Sequence, residues 1–264
     1  MLQAVWPFTL FTCMAWSIWF SPTSLASQQV LTLGLPSEGY APYIIINNQQ
    51  VSGILIEPLQ LAASQLDLTL VYQFYPEKRS SLMLEHNLID ARMESEQWVS
   101  NPQDYLWSEA ITELEDVLIF NKNAGEVFDS EGDLADTTLI GHLGYSYPTL
   151  QPLIERGWLK RIDLSSEFDM LNYLYRPLAG IKSVTVMNKF VAISIVNNTH
   201  KFHGHFAIST QPIAKAPLQF QFFNNPRLAA IVSQLNPELQ KLKRNGTVEQ
   251  IITKILNTEN TQLK

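Results

Sequence analysis

Apolar and polar residues alternate along Leu31-Thr-Leu-Gly-Leu35 and stop at Pro36-Ser37-Glu38-Gly39, which predicts a buried strand closed by a breaker. After Tyr40-Ala-Pro-Tyr43, two β-rich runs, Tyr43–Ile46 and Val51–Leu55, flank the polar Asn47-Asn-Gln-Gln50 in a hairpin pattern. Glu57-Pro58 opens a helix through Leu66, with proline at its first position, where no amide partner is needed. Leu68–Tyr75 reads as a strand, the segment from about Glu77 to His86 as a second helix, and Leu88-Ile-Asp-Ala-Arg92 as a further strand. Strand, aromatic loop, hairpin, helix, strand, helix and strand make an α/β lobe whose loops gather at the strand ends, where open sheets bind ligands.

Beyond the breaker at Trp98–Pro102, strands are expected at Asp116–Phe120, Thr138–His142, Ile162–Leu164, Leu178–Val186, Val191–Val196 and Phe206–Ser209. Leu218–Phe223 is a last β-rich run that returns to the first lobe. Helices are expected from Pro148 to about Arg156, with Ser146 or Tyr147 near the cap, and over Glu167–Tyr175. The tail reads as three helices: Pro226–Leu235, a restart at Asn236-Pro237 to Arg244, and Thr247–Leu256 after the stop at Asn245-Gly246. No internal repeat, low-complexity tract or heptad pattern is present.

Composition changes this picture at the N-terminus. Residues 1–26 carry no charged side chain, and Val5–Phe20 is almost wholly apolar yet too short to span a bilayer comfortably. Ser24-Leu25-Ala26 fits a cleavage signal, so residues 1–26 read as a removed secretory signal peptide and the mature chain as periplasmic. The terminal amine is the only positive charge ahead of the apolar run, which keeps an uncleaved anchor as the rival reading. The single cysteine, Cys13, lies in this segment, so the mature chain has neither disulfides nor thiol chemistry. What remains of the 264 residues suffices for two modest lobes or one large domain. A net charge of −7 opposes nonspecific binding to nucleic acid or anionic membranes, and 46% hydrophobic residues are enough for a real core.

Several segments, in order, resemble the bacterial periplasmic solute-binding proteins of family 3, the polar-amino-acid-binding type of ABC transporters. Tyr40-Ala-Pro-Tyr43 is similar to that family's aromatic-Pro-aromatic loop, and Gly53 with Glu57 to its second strand running into a helix. Ile89-Asp90-Ala91 resembles its Ile-Asp-Ala strand, with Asn87 in place of the usual glycine, and Trp107-Ser108-Glu109-Ala110 its Trp-Ser-x-Pro segment, with alanine for proline. Gly144-Tyr-Ser-Tyr147 resembles its strand-to-helix element, Arg176 one residue of its Gly-Arg-x-Asp-Ala, and Asn245-Gly-Thr247 with Ile251 its terminal motif. The resemblance covers roughly residues 30–256. It implies a two-lobed, type II periplasmic-binding fold: two open sheets flanked by helices, with an interlobe cleft. Residues 1–26 are then the signal peptide, 27–112 the first part of lobe 1, 113–213 lobe 2, and 214–264 the return to lobe 1.

In amino-acid binders of this family the ligand sits between the lobes, against an aromatic ring, an arginine, an aspartate and a helix start. Tyr40 matches the aromatic position and Tyr145-Ser146 the helix start, whose free amides suit an anionic group. The arginine is missing, with Ser100, Asn101 or Pro102 at its place, and the aspartate is missing, with Ser183 nearest. Losing both removes two charge-assisted contacts of about 1.5–3 kcal/mol each, which argues against a free amino acid held in the usual way. Arg92 is an alternative anion anchor beside Glu94, or else an internal partner of Glu94 or Glu96. Tyr43, Arg79 and Trp98 are further cleft candidates, with core packing or an exposed helix-start charge as the plainer readings. His200-x-x-His203-x-His205 has metal-like spacing or is a solvated turn, and His142 reads as a satisfied core histidine.

No nucleophile motif or phosphate-binding glycine loop occurs, so no catalytic residue and no cofactor is expected. The expected function is capture of a small polar or anionic, amino-acid-like solute by a monomer that binds no nucleic acid and serves an inner-membrane ABC permease or a membrane sensor. The alternative is an enzyme on the same fold resembling cyclohexadienyl dehydratases, with Glu94 or Glu96 beside Arg92 as the acid.

Overall fold

The computed structural model describes residues 29–258 apart from 49, 177 and 179, so the expected signal peptide lies outside the described residues. Strand β1 (Gln29–Pro36) buries Leu31, Leu33 and Leu35 completely. Strands β2 (Ile45–Asn47) and β3 (Gln50–Ser52) form the expected hairpin. Gly53 follows at φ +121°, and a Cβ there would lie 2.4 Å from the Tyr43 carbonyl oxygen. Its own carbonyl accepts from the Ile56 and Glu57 amides, both at 3.0 Å. The chain therefore winds into helix α1 (Ile56–Gln65) before Pro58, which becomes the third helical residue instead of the first.

Strand β4 (Leu68–Tyr75) runs parallel to β1 over its whole length, and helix α2 (Glu77–Glu85) leads back to β5 (Ala91–Glu94) on the other side of β1. β5 begins at Ala91, later than the expected Leu88. The reason is Asp90, whose carboxylate accepts from the Thr32 amide at 2.8 Å while its own amide donates to the Thr32 carbonyl at 2.9 Å, so a side chain takes over one rung of the ladder.

Strand β6 (Leu106–Trp107) precedes β7 (Thr112–Asn121), the first crossing into a second lobe. That lobe contains β8 (Thr137–His142), α3 (Gln151–Glu155), β9 (Leu159–Leu164), α4 (Glu167–Tyr175), β10 (Ser183–Asn188), α5 (Lys189–Asn198) and β11 (Phe206–Ile208). Strand β12 (Ala214–Phe222) returns, and α6 (Pro226–Arg244) and α7 (Thr247–Thr258) close the first lobe. The strand order is β4-β1-β5-β12-β7-β10-β8-β9, with β11 on β7 and β6 on β12. β12 belongs to both sheets: Ala214–Leu218 lies antiparallel to β7, and Gln219–Phe222 antiparallel to β5. The two expected sheets are thus continuous through one shared strand.

Three expectations are corrected. Val191–Val196 is helix, not strand: the Asn188 side chain accepts from the Phe190 and Val191 amides at 3.0 and 3.2 Å, ending β10 and starting α5 at one residue. Capping and the burial of Val191 and Ala192 outweigh the β propensity of the run. The helix expected from Pro148 begins only at Gln151, because the Tyr147 carbonyl accepts from both Leu150 and Gln151 in a preceding turn. It is five residues long, too short to carry the anion-binding N-terminus expected near Ser146. The tail does not restart at Pro237: α6 runs through it for 19 residues. Ser233, whose carbonyl loses its intrahelical donor to that proline, is on the exposed side. Asn236, on the inner side, accepts from the Glu109 amide at 2.7 Å and donates to the Trp107 carbonyl at 3.2 Å.

The main core runs from Leu31, Leu33 and Leu35 through Phe220 and Phe222 into Met187, Val191 and Phe202 of the second lobe. A smaller core lies wholly in that lobe, around Leu118, Phe120, Phe128 and Leu139. The lobes therefore share apolar packing at the waist as well as one strand, β12. Among the described residues no helix is long and apolar enough to cross a membrane.

Candidate functional site

The loop after β1, the middle of β7, the ends of β8 and β10 and the start of α4 meet around a cavity of about 80 Å³ between the lobes. Tyr40 lines it from the first lobe, and Asp116, His142, Tyr145, Glu167 and Asn188 from the second. Tyr40 is held by a two-way backbone pairing with Ile44 (2.8 and 2.9 Å) and stacks on Tyr43 at 5.3 Å with an interplanar angle of 14°. Tyr43 is fully buried, and its hydroxyl crosses to the second lobe, donating to Asn188 Oδ1 at 2.8 Å.

That oxygen therefore accepts from three donors, the Tyr43 hydroxyl and the two α5 amides. Three donors on one atom fix the orientation of the amide group. Its other end, Nδ2, is buried and has no hydrogen-bond partner among the described residues.

Asp116 supplies the charge. Burial raises its pKa above the usual carboxylate value, and among the described residues no hydrogen bond or ion pair acts against that shift. Burial also raises the Tyr40 and Tyr145 phenols, helped by the neighbouring Asp116 and Glu167 charges, so both stay protonated and able to donate at neutral pH. His142, expected as a core residue, closes β8 at the cavity wall: its ring lies 4.1 Å from that of Tyr145, and its Nε2 is 3.9 Å from Glu167 Oε2. Arg161 steadies this wall by donating to the Tyr145 carbonyl at 2.8 Å and to Asp163 at 2.7 Å. The cavity lining thus holds two carboxylates, three tyrosines, a serine and a histidine, and no lysine or arginine lines it among the described residues.

The structure brings together Tyr40, Tyr145 and Ser146 of the residues expected from sequence. It puts Arg92, Glu94 and Trp98 at a separate cavity of about 320 Å³ on the first lobe, with Glu85, Asn101 and Asp104. There Arg92 donates to Gln221 at 2.8 Å and is ion-paired with Glu94, which matches the internal-partner reading. Arg79 is exposed, with its guanidinium 5.8 Å from the Tyr75 ring. Ser183 opens β10 and Asn188 closes it, so they stand about 16 Å apart along the strand. Tyr43 walls a third cavity, of about 430 Å³, behind the strands with Ile111, Phe190, Val248 and Ile252.

The histidine trio does not converge. The His200 and His203 rings are neighbours at 5.4 Å, whereas His205 meets Tyr175 edge-on at 4.8 Å and contacts Asn123. Among the described residues no three His, Cys, Asp or Glu side chains come together as a metal site. Asp116, Glu167 and Asn188 were not found from sequence. Asn188 had a usable signal, since a cap-forming residue stands between a strand pattern and an apolar run.

No protein-family model and no curated protein matches the chain. Solved structures do. The L-cystine solute receptor of Neisseria gonorrhoeae, in its unliganded open conformation, superimposes with a TM-score of 0.69 at 13% identity, over 87% of this chain and 94% of that one. The second substrate-binding domain of Lactococcus lactis GlnP gives 0.67 at 19% identity, over 87% and 96%. A histidine kinase sensor domain with similarity to periplasmic binding proteins gives 0.59 at 17% identity, over 87% and 97%. With its shared strand, two crossings and cleft between lobes, the chain has the two-lobed type II fold of the periplasmic solute-binding proteins.

Proposed function

We propose that the chain is an exported solute-binding protein whose cleft takes a small polar, amino-acid-like solute through a cationic group. The observation that carries this is Asp116, a partly buried carboxylate with no ion-pair partner among the described residues, which lines the cavity with Tyr40, Tyr145 and Glu167. A bare carboxylate in that setting is costly, and an ammonium or guanidinium group relieves it. The rings of Tyr40 and Tyr145 add cation–π attraction. Of the polar and anionic solutes expected from sequence, this lining favours the former. The cavity matches a cationic head, not a whole solute, so the remainder extends into the cleft and the lobes part to admit it.

The same reading takes residues 1–26 as the signal peptide, 27–112 with 214–264 as one lobe and 113–213 as the other. It makes the protein a periplasmic monomer, without nucleic-acid binding, that hands its solute to an ABC permease or reports it to a membrane sensor.

A thermal-shift screen tests the proposal. At 100 times its dissociation constant a ligand adds about 2.7 kcal/mol, a rise of roughly 5–10 °C for a chain of this size. Arginine, lysine and simple diamines are expected to raise the midpoint, and acetate, succinate and phosphate to leave it unchanged. Asp116→Asn is expected to abolish the response. A response confined to the anions, or one that survives Asp116→Asn, overturns the reading.

A further inference from the structure

We propose that two copies of the protein join through β4, the outer strand of the first lobe, into a reversible two-fold dimer with one continuous sheet. This goes beyond the cleft reading and does not depend on it. β4 ends the strand order and, among the described residues, pairs on one side only, with β1. On that side the Tyr75 carbonyl accepts from the Ser37 amide, just past the end of β1, at 3.0 Å. Backbone direction alternates along a strand, so Thr69, Val71 and Gln73 also face β1. The N–H and C=O groups of Leu68, Leu70, Tyr72 and Phe74 point outward.

Such an edge invites another strand unless charge, proline or a bulge guards it. The strand at the far end of the order, β9, is guarded by Lys160, Arg161 and Asp163. β4 has no charged residue and no proline over its eight residues, and Val71 and Phe74 are 39% and 41% exposed. The occupant is read from the strand's own order. About Val71 the residue types repeat in both directions, Leu-Thr-Leu before it and Tyr-Gln-Phe after it. A two-fold axis through Val71 therefore sets Leu70 against Tyr72 and Leu68 against Phe74 on one face, and Thr69 against Gln73 beside the Val71 pair on the other. All four outward residues then meet outward residues, as antiparallel hydrogen bonding requires. Aliphatic against aromatic and hydroxyl against amide are favourable cross-strand pairs. A two-fold contact needs one patch that matches itself, and this strand is such a patch. Eight residues a side fall well short of the roughly 20–30 of a lasting interface, so the dimer is reversible and the monomer is its dilute form.

Sedimentation equilibrium of the purified protein from about 10 μM to about 1 mM, with amide exchange at both ends of that range, tests this. A monomer–dimer equilibrium is expected. Exchange at Leu70, Tyr72 and Phe74 should slow as concentration rises, while exchange at Val71 and Gln73 is slow throughout. The axis brings the two Val71 side chains into a close pair, so Val71→Lys and Val71→Glu are each expected to weaken dimerisation at least about tenfold. Mixing the two variants is expected to restore it, because a contact of residue 71 with itself then sets lysine against glutamate. Should either variant fail to fold, the concentration dependence of the outward amides still decides. A protein monomeric at about 1 mM, or a dimer indifferent to both variants, overturns the proposal. So do outward amides protected equally at every concentration, which would mean that another part of the chain lies on the edge.

Discussion

Asp90 joins the first strand to a helix almost at the end of the chain, and its removal should be felt more than that of an ordinary surface acid. One oxygen accepts the Thr32 amide at 2.8 Å; the other pairs with Arg227, which also donates to the Val30 carbonyl at 3.0 Å. Asp90→Ala leaves a part-buried amide without an acceptor, at about 1–3 kcal/mol. It also deletes an ion pair whose arginine is 50% exposed, which solvent screening limits to about 1 kcal/mol. The sum is about 2–4 kcal/mol. Asp90→Asn keeps an oxygen for Thr32 and loses only the charge, so it should cost under about 1 kcal/mol. Urea unfolding at constant slope reads the difference, and thermal midpoints should fall by roughly 2–4 °C per kcal/mol. Equal losses in the two variants, or a loss below about 1 kcal/mol for Asp90→Ala, would refute the claim that the amide bond carries the energy.

Two further outcomes follow from the cleft and its supporting turn. Because burial raises Asp116 above the ordinary carboxylate pKa, the stability it contributes is complete below that ordinary value and is lost as pH rises through the folded-state pKa. Without solute, Asp116→Asn should therefore melt higher than the native protein at pH 7, with the gap closing on acidification toward pH 3; a variant that melts lower at pH 7 counts against the desolvated carboxylate. Gly53→Ala places a Cβ against the Tyr43 carbonyl at φ +121° and should cost at least about 2 kcal/mol by urea unfolding, where a loss under 1 would mean the turn relaxes freely.

The first lobe was legible because its signals are local. Leu68–Tyr75 alternates, Gly53 allows a turn no other residue fits, and Leu31, Leu33 and Leu35 repeat with the pleat, so β1, the hairpin, α1 and β4 appear near their expected bounds. Glu167–Tyr175 was equally clear, with Ser166 as its cap. The site was less legible because it is assembled from strands and loops far apart in the sequence. Asp116 reads as one more residue of β7, and nothing in its neighbourhood says that the end of β8 and the Tyr40 loop will meet it. The expected strand Leu178–Val186 stops short of Asn188, which closes β10, whereas Ser183, the position nearest the family's missing aspartate, opens it. Arg92 drew attention as a buried charge, and its partners Glu94 and Gln221 absorb it where it stands. Local capping, visible in Asn188, should have outweighed the valines and isoleucines that follow it.

The shared strand has a consequence for the order in which the protein assembles. β5 leaves synthesis with Arg92, but Gln221, its neighbour on β12, follows 129 residues later. Every strand partner of β8, β9, β10 and β11 lies between those two points. The second lobe can thus complete its ladder on a growing chain while the first still shows a bare edge at β5. A chain cut short before Ala214 would keep that edge open, a template for pairing with other chains. The lobe that begins first is the one that finishes last, and its sheet closes only when nearly the whole chain has been made.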